Sequence, residues 1–221
     1  MERRKKRTRL QKRDGIQATL EGYRRFDYDY IPFGTYTVPD AGFKYRQGLF
    51  GRLCSGFIRG FLWLVAPVLL KVAYGCRVVG KEHLKALKGK GAMCVTNHIS
   101  YLDTLFVRAA LGQFRAFYTM APWNNKKGLG GWIMRHAGMW PFSPNLTATK
   151  HLMQEMERRL KEGKIIHFYA EQAMWINYPK PRPMKDGALC YANKYGVPVL
   201  PVFFTFRKNR RGHMRRLVLH I

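Results

Sequence analysis

The chain has 221 residues, 47% of them apolar, enough for one domain with a sizeable core and too many for a disordered chain. Forty Lys and Arg against thirteen Asp and Glu give a net charge of +27, which implies an anionic partner: nucleic acid, an anionic membrane surface or a phosphorylated substrate. Four cysteines without a C-x-x-C pair exclude the paired spacing of a structural zinc site and predict buried free thiols in a reducing, cytosolic compartment.

Residues 1–13, MERRKKRTRLQKR, carry eight basic residues and one acidic one and read as a disordered basic arm. No apolar run follows closely enough to make the arm the start of a signal peptide. The stretch 14–50, containing FDYDYIPFGTYTVPDAGFKY, shows no sustained period and reads as an irregular lead-in. A helix is expected over 56–75. Its centre, Gly60–Leu70, is an eleven-residue uncharged run between Arg59 and Lys71. Eleven helical residues span roughly 16 Å, about half a hydrocarbon core, and Pro67 interrupts them. Because the run is apolar on every side, two readings stand: a core helix, or a shallow interfacial insertion. A normal spanning helix is not expected.

From residue 76 short apolar runs alternate with amphipathic stretches. This pattern predicts an α/β domain over 76–221, with a central mixed, mostly parallel sheet flanked by helices. Strands are expected at Cys76–Val79, Gly91–Thr96, Phe114–Met120, Met139–Phe142, Ile165–Ala170, Val197–Phe206 and Leu217–Ile221, and helices at Ser100–Leu111, Lys127–His136, Thr147–Glu162 and Asp186–Tyr195. Leu152, Met156 and Leu160 recur at i, i+4, i+8, and Gly163 and Gly196 supply helix stops. Two prolines in Val197–Phe206 place its start near a sheet edge or a bulge. The last strand runs into the chain end, as in a chain truncated at its C-terminus.

The sequence Asn97-His98-Ile99-Ser100-Tyr101-Leu102-Asp103 falls where a strand passes into a helix. Inside one regular helix, positions i and i+5 point about 140° apart and pair poorly. With His98 just before the helix and Asp103 in its first turns, the carboxylate can fold back to the imidazole. Such a pair fixes the tautomer and lets the other ring nitrogen take a proton from a hydroxyl. The spacing alone is a weak signal, since a surface His beside an unrelated helix-capping Asp gives the same pattern. Glu171 ends a second apolar strand, and Lys180, Arg182 and Lys185 follow closely, a combination that fits a phosphate clamp or a solvated basic loop. His136 and His167 read as structural. Ser100 lacks a G-x-S-x-G elbow and is not read as a nucleophile.

The ordered set resembles the glycerolipid acyltransferases, which include the 1-acyl-glycerol-3-phosphate acyltransferases. His98-x4-Asp103 is similar to their first motif, and Phe168–Glu171 stands at the place of their third, Phe-Pro-Glu-Gly-Thr-Arg. Lys185 and Gly187 match a downstream Lys-x-Gly, and Val197–Val202 is similar to Val-Pro-Val-x-Pro-Val. The resemblance covers roughly 75–206. It implies acyl transfer from acyl-CoA or acyl carrier protein to a lysophospholipid hydroxyl, with His98 as general base, Asp103 orienting it, and Glu171 toward the acceptor's phosphate, where Lys180, Arg182 or Lys185 would stand in for motif cations that this chain lacks. It implies an N-terminal hydrophobic helical element that associates with membrane, which favours interfacial insertion of 56–75. It also implies no metal, no cofactor and no acyl-enzyme, with an anionic membrane surface rather than nucleic acid as partner, at the cytoplasmic face of the cell membrane, monotopic or peripheral. The chain departs from the family in reading Gln172-Ala173-Met174 where Gly-Thr-Arg is usual, and in lacking an Arg after Gly138-Met139-Trp140-Pro141-Phe142. Two usual phosphate-binding cations are therefore missing, which leaves open a different lysolipid or a glycolipid head group. A non-catalytic membrane- or RNA-binding module is the remaining alternative on charge alone.

Overall fold

The structure, a computed structural model, describes residues 35–112, 115–208 and 215–221. The basic arm and most of the irregular lead-in lie outside the described residues. Among the described residues the first element is helix α1 (Leu49–Tyr74). Then come β1 (Arg77–Val79), a 3-10 turn (Lys81–Leu87), β2 (Ala92–Thr96), α2 (Asp103–Leu111), β3 (Ala116–Met120) and a second 3-10 turn (Pro122–Asn124). These lead to α3 (Gly128–His136), β4 (Met139–Pro141), α4 (Leu146–Lys161), β5 (Ile165–Tyr169), α5 (Gly187–Tyr195), β6 (Val199–Lys208) and β7 (Arg215–His220).

The seven strands form one sheet in the order β1-β7-β6-β2-β5-β3-β4, in which β6 and β7 alone pair antiparallel. The central strands are buried on both faces, as a parallel sheet requires. Alternate residues point to opposite sides. Ala92 and Cys94 of β2 join a core shared with α1 and α2 residues, including Leu70, Phe106 and Val107. Met93 and Val95 join a second core with Leu152, Met156 and Leu160 of α4 and Ala188 and Ala192 of α5. Helix α4 is the most regular: the Asn145 carboxamide oxygen accepts the Ala148 N–H at 3.0 Å, capping the helix start.

Two expectations are corrected. The apolar helix starts at Leu49 rather than residue 56 and keeps Pro67 inside it. Its 26 residues span about 39 Å, so by length and composition it is long and apolar enough to cross a membrane. Only 17% of its most apolar window is buried, and Leu53, Phe57, Leu64 and Val72 are each more than 60% exposed. The buried side carries Arg59, Ala66 and Leu70. Arg59, set in an apolar stretch, turns inward and donates to the Ala116 carbonyl oxygen at 3.1 Å while lying over the Phe117 ring.

Strand β6 sits inside the sheet between β7 and β2, yet its proline-bearing start lies at an edge, as expected. The reason is register. Pro201 pairs with Val95 on one flank, but β7 does not begin to pair until Phe203. The strand start is thus a local edge, where a missing N–H costs no ladder bond. The second correction is Cys190, which is exposed while Cys94 is buried and Cys54 and Cys76 are intermediate.

Candidate active site

Strands β2 and β5 lie side by side, parallel, with Thr96 opposite Tyr169. Their C-terminal ends therefore deliver His98 and Glu171 to one place, although the two are far apart in the chain. The chain at the end of β2 is tied down by Asn97, whose carboxamide donates to the Phe204 carbonyl oxygen at 3.1 Å and accepts the Phe204 N–H at 2.8 Å. The buried Asn97 side chain thereby continues the β2–β6 ladder past the last strand residue. Sequence reasoning noted Asn97 only as the residue before the histidine.

Asp103 is the first residue of α2 and is fully buried. Its Oδ2 lies 2.8 Å from His98 Nδ1 and also accepts the backbone N–H groups of Ile99 and Ser100, at 2.7 and 2.9 Å. The turn 99–102 wraps around the carboxylate, so the i, i+5 pair meets as expected, with the histidine before the helix and the aspartate at its N-terminus. The His98 side chain is 18% exposed against 0% for Asp103, so the carboxylate is sealed behind the ring. A carboxylate on Nδ1 favours a proton there and leaves Nε2 as the nitrogen available for chemistry.

Glu171 is buried and fully engaged. Its Oε2 accepts the His98 backbone N–H at 3.2 Å and the Arg182 Nε and Nη2 at 3.2 and 3.0 Å, while Oε1 accepts the Arg182 backbone N–H at 3.0 Å. Arg182 is itself buried, with a side-chain exposure of 7%, lies over the Trp175 ring and donates to the Ala173 carbonyl oxygen. The segment after Glu171 also pairs with the histidine turn: Trp175 N–H donates to the His98 carbonyl oxygen at 3.0 Å and Asn177 N–H to that of Ile99 at 2.9 Å. The path needs two left-handed residues, Gln172 (φ 60°) and Asn177 (φ 56°). Gln172 stands where the resembling family has glycine, and it adopts the backbone conformation that glycine adopts at least cost.

Of these groups His98 and Gln172 open onto a pocket of ≈ 720 Å³, while Asp103, Glu171 and Arg182 lie outside its lining. Its polar lining includes His98, Thr104, Thr119, Asn124, Gln172 and Lys185, and its apolar lining includes Met120, Trp123, Met134, Met139, Phe142 and Tyr191. The Lys185 backbone N–H donates to the Ala170 carbonyl oxygen at 2.8 Å, which sets this lysine beside the end of β5. Of the basic residues expected near the site, Lys185 lines the pocket with His98, Arg182 is held against Glu171, and Lys180 is exposed and outside the lining.

Behind the site, His167 is completely buried in β5, its Nε2 2.9 Å from the Thr96 hydroxyl. Burial, with the nearby His98 adding to it, pushes its imidazole down to about 3, so it stays neutral. It does not line the pocket. His136, partly exposed on α3, has its Nδ1 2.8 Å from the Trp132 carbonyl oxygen.

A search of solved structures finds similarity to the crystal structure of the 1-acyl-sn-glycerophosphate (LPA) acyltransferase PlsC from Thermotoga maritima, at 19% identity and a TM-score of 0.47, covering 78% of this chain and 83% of that one. A search of curated proteins finds no match. The Acyltransferase family model matches residues 75–205, more than half of the chain and the whole of the site just described; the chain therefore belongs to the acyltransferase family and is an acyl-transferring enzyme.

Proposed function

We propose that the enzyme moves a fatty acyl group from acyl-CoA or acyl carrier protein onto the free hydroxyl of a lysophospholipid of the 1-acyl-glycerol-3-phosphate type, while held at a membrane by α1. The observation that carries the reading is the His98–Asp103 pair at 2.8 Å at the wall of a largely apolar pocket. Asp103 holds the proton on Nδ1, so Nε2 accepts the proton of the acceptor hydroxyl as its oxygen attacks the thioester carbonyl carbon. The tetrahedral intermediate collapses, the carbon–sulfur bond breaks, and the imidazolium returns its proton to the departing thiolate. Asp103 stabilises the imidazolium throughout. The methionines and aromatics of the pocket suit an alkyl chain. Lys185, on the same wall system as His98, supplies positive charge for an acidic head group. The exposed apolar face of α1 and the net charge of +27 suit an anionic bilayer, where a lysolipid resides.

The test is a panel of lysophosphatidic acid, zwitterionic lysophospholipids and a glycolipid, each offered with radiolabelled palmitoyl-CoA or palmitoyl acyl carrier protein. Wild-type protein is expected to label an acidic lysophospholipid. His98→Ala is expected to abolish labelling with the fold intact, and Asp103→Asn to lower kcat by at least about 10²-fold through a misplaced ring proton. A His98→Ala protein that still acylates at the wild-type rate sinks the mechanism. Labelling of the glycolipid alone would overturn the acceptor.

A further inference from the structure

The ring of Tyr169 lies parallel to the His98 imidazole, with centroids 3.7 Å apart and planes inclined by 13°. Tyr169 is the last residue of β5, directly opposite Thr96 in the register that brings the two motif-bearing strands together. Its phenol oxygen is 2.7 Å from the Thr104 hydroxyl, and Thr104 follows Asp103 in α2. The imidazole is therefore fixed in two independent ways: a carboxylate at its edge and an aromatic face against its plane. Tyr169 in turn meets His167 edge to face, with ring centroids 4.6 Å apart at 84°. His167 stays neutral, so it brings no second positive charge to the Tyr169 ring.

We propose that Tyr169 is a positioning residue for acyl transfer, whose ring face holds the His98 imidazole in plane and stabilises the positive charge it acquires on taking the acceptor's proton. The inference rests on the reading of His98 as general base. An aromatic face attracts a cation set over it, and the attraction grows when water is excluded. The gain is larger for the imidazolium than for the neutral ring, so it favours the state formed during transfer over the resting one. Burial keeps the Tyr169 phenol well above its ordinary titration range, so the stacked ring is itself unchanged across the working pH. The phenol–Thr104 bond serves a separate purpose, fixing where the ring sits.

Two variants separate the ring face from the hydroxyl. Tyr169→Phe keeps the stack and loses the bond to Thr104; Tyr169→Leu loses the stack and keeps an apolar filling. Both are purified in detergent, checked for cooperative thermal unfolding, and titrated by two-dimensional NMR of histidine-labelled protein, with the His98 signal assigned by its absence in His98→Ala. The expected result is a His98 titration midpoint at lower pH in Tyr169→Leu than in wild type, and a wild-type midpoint in Tyr169→Phe. In assays with lysophosphatidic acid and palmitoyl-CoA, kcat is expected to fall about threefold to thirtyfold in Tyr169→Leu with KM for the lysolipid unchanged, and to be largely rescued in Tyr169→Phe. A wild-type midpoint and kcat in a folded Tyr169→Leu protein overturn the proposal, as does a Tyr169→Phe protein as impaired as Tyr169→Leu. The NMR titration needs no turnover and reads the stack whether or not this acceptor is used. Full activity in His98→Ala, by contrast, defeats the general-base reading itself.

Discussion

The histidine buried behind the site sets a limit on acid stability. Unfolded, the His167 ring binds a proton near its ordinary value of 6.5; folded, burial holds it down to about 3. Its folded value is depressed, so between those two pH values the unfolded chain binds a proton that the native ring refuses, and stability is lost as pH falls through the window. Between pH 7.5 and 5.5 this amounts to about 1 kcal/mol. Chemical denaturation of the detergent-solubilised protein at the two pH values is expected to show the loss, and His167→Gln is expected to flatten it. At this scale the His98–Asp103 pair was legible because it is local: a turn of four residues closes it whatever the rest of the chain does. The Glu171–Arg182 pair was only half legible. Both residues were singled out, as groups for an acceptor's phosphate, but nothing in the sequence shows that the chain reverses through Gln172 and Asn177 and turns Arg182 inward onto the carboxylate. The stack of Tyr169 on His98 could not be read at all, since it depends on the β2–β5 register.

Among the elements, α1 departs most from expectation. Arg52 breaks its apolar run and Gly51 weakens helix propensity in its first turn, so only the stretch from 56 onward stood out. Packing decides otherwise: Arg59 and Leu70 dock on the domain and leave Leu53, Phe57 and Leu64 outside, 66, 78 and 67% exposed. Changing these three to Glu removes no core contact, so thermal unfolding in detergent is expected to stay as in wild type while co-sedimentation with phospholipid vesicles is lost. Undiminished sedimentation would show that another surface holds the bilayer. The loop after β5 gives a second expectation. Gln172 at φ 60° bears a left-handed cost of about 1–2 kcal/mol, which Gly lacks, while Gly gives the unfolded chain more freedom. Gln172→Gly is therefore expected to hold or raise stability by up to about 1 kcal/mol, and the β-branched Gln172→Val to lower it, by denaturant titration.

For the molecule as a whole, the alternation of short apolar runs with amphipathic stretches was enough to give an α/β sheet and most of its strands. The mixed character of the sheet was expected, but its strand order was not, because which strands lie side by side depends on pairings between segments far apart in the chain. Charge acts at the same scale. With +27 on 221 residues, binding to anionic vesicles is expected to weaken as NaCl rises from about 0.1 to 1 M, where the screening length shrinks from about 10 to 3 Å. Binding to neutral vesicles should respond far less, since α1 contributes through apolar contact. Equal salt dependence on both would remove electrostatics from the account.

The His98 backbone is gripped at both polar atoms by a single stretch of chain: Glu171 takes its N–H and Trp175 supplies a donor to its carbonyl oxygen. His98 is therefore tied through its backbone to the 171–177 loop, and Gln172 and Met174 of that loop line the same pocket. On the proposed mechanism, a head group that pushes this stretch aside drags the base with it, and a displacement of about 1 Å is enough to spoil proton transfer. Discrimination among acceptors should then be felt in how fast a bound lipid reacts rather than in how tightly it is held.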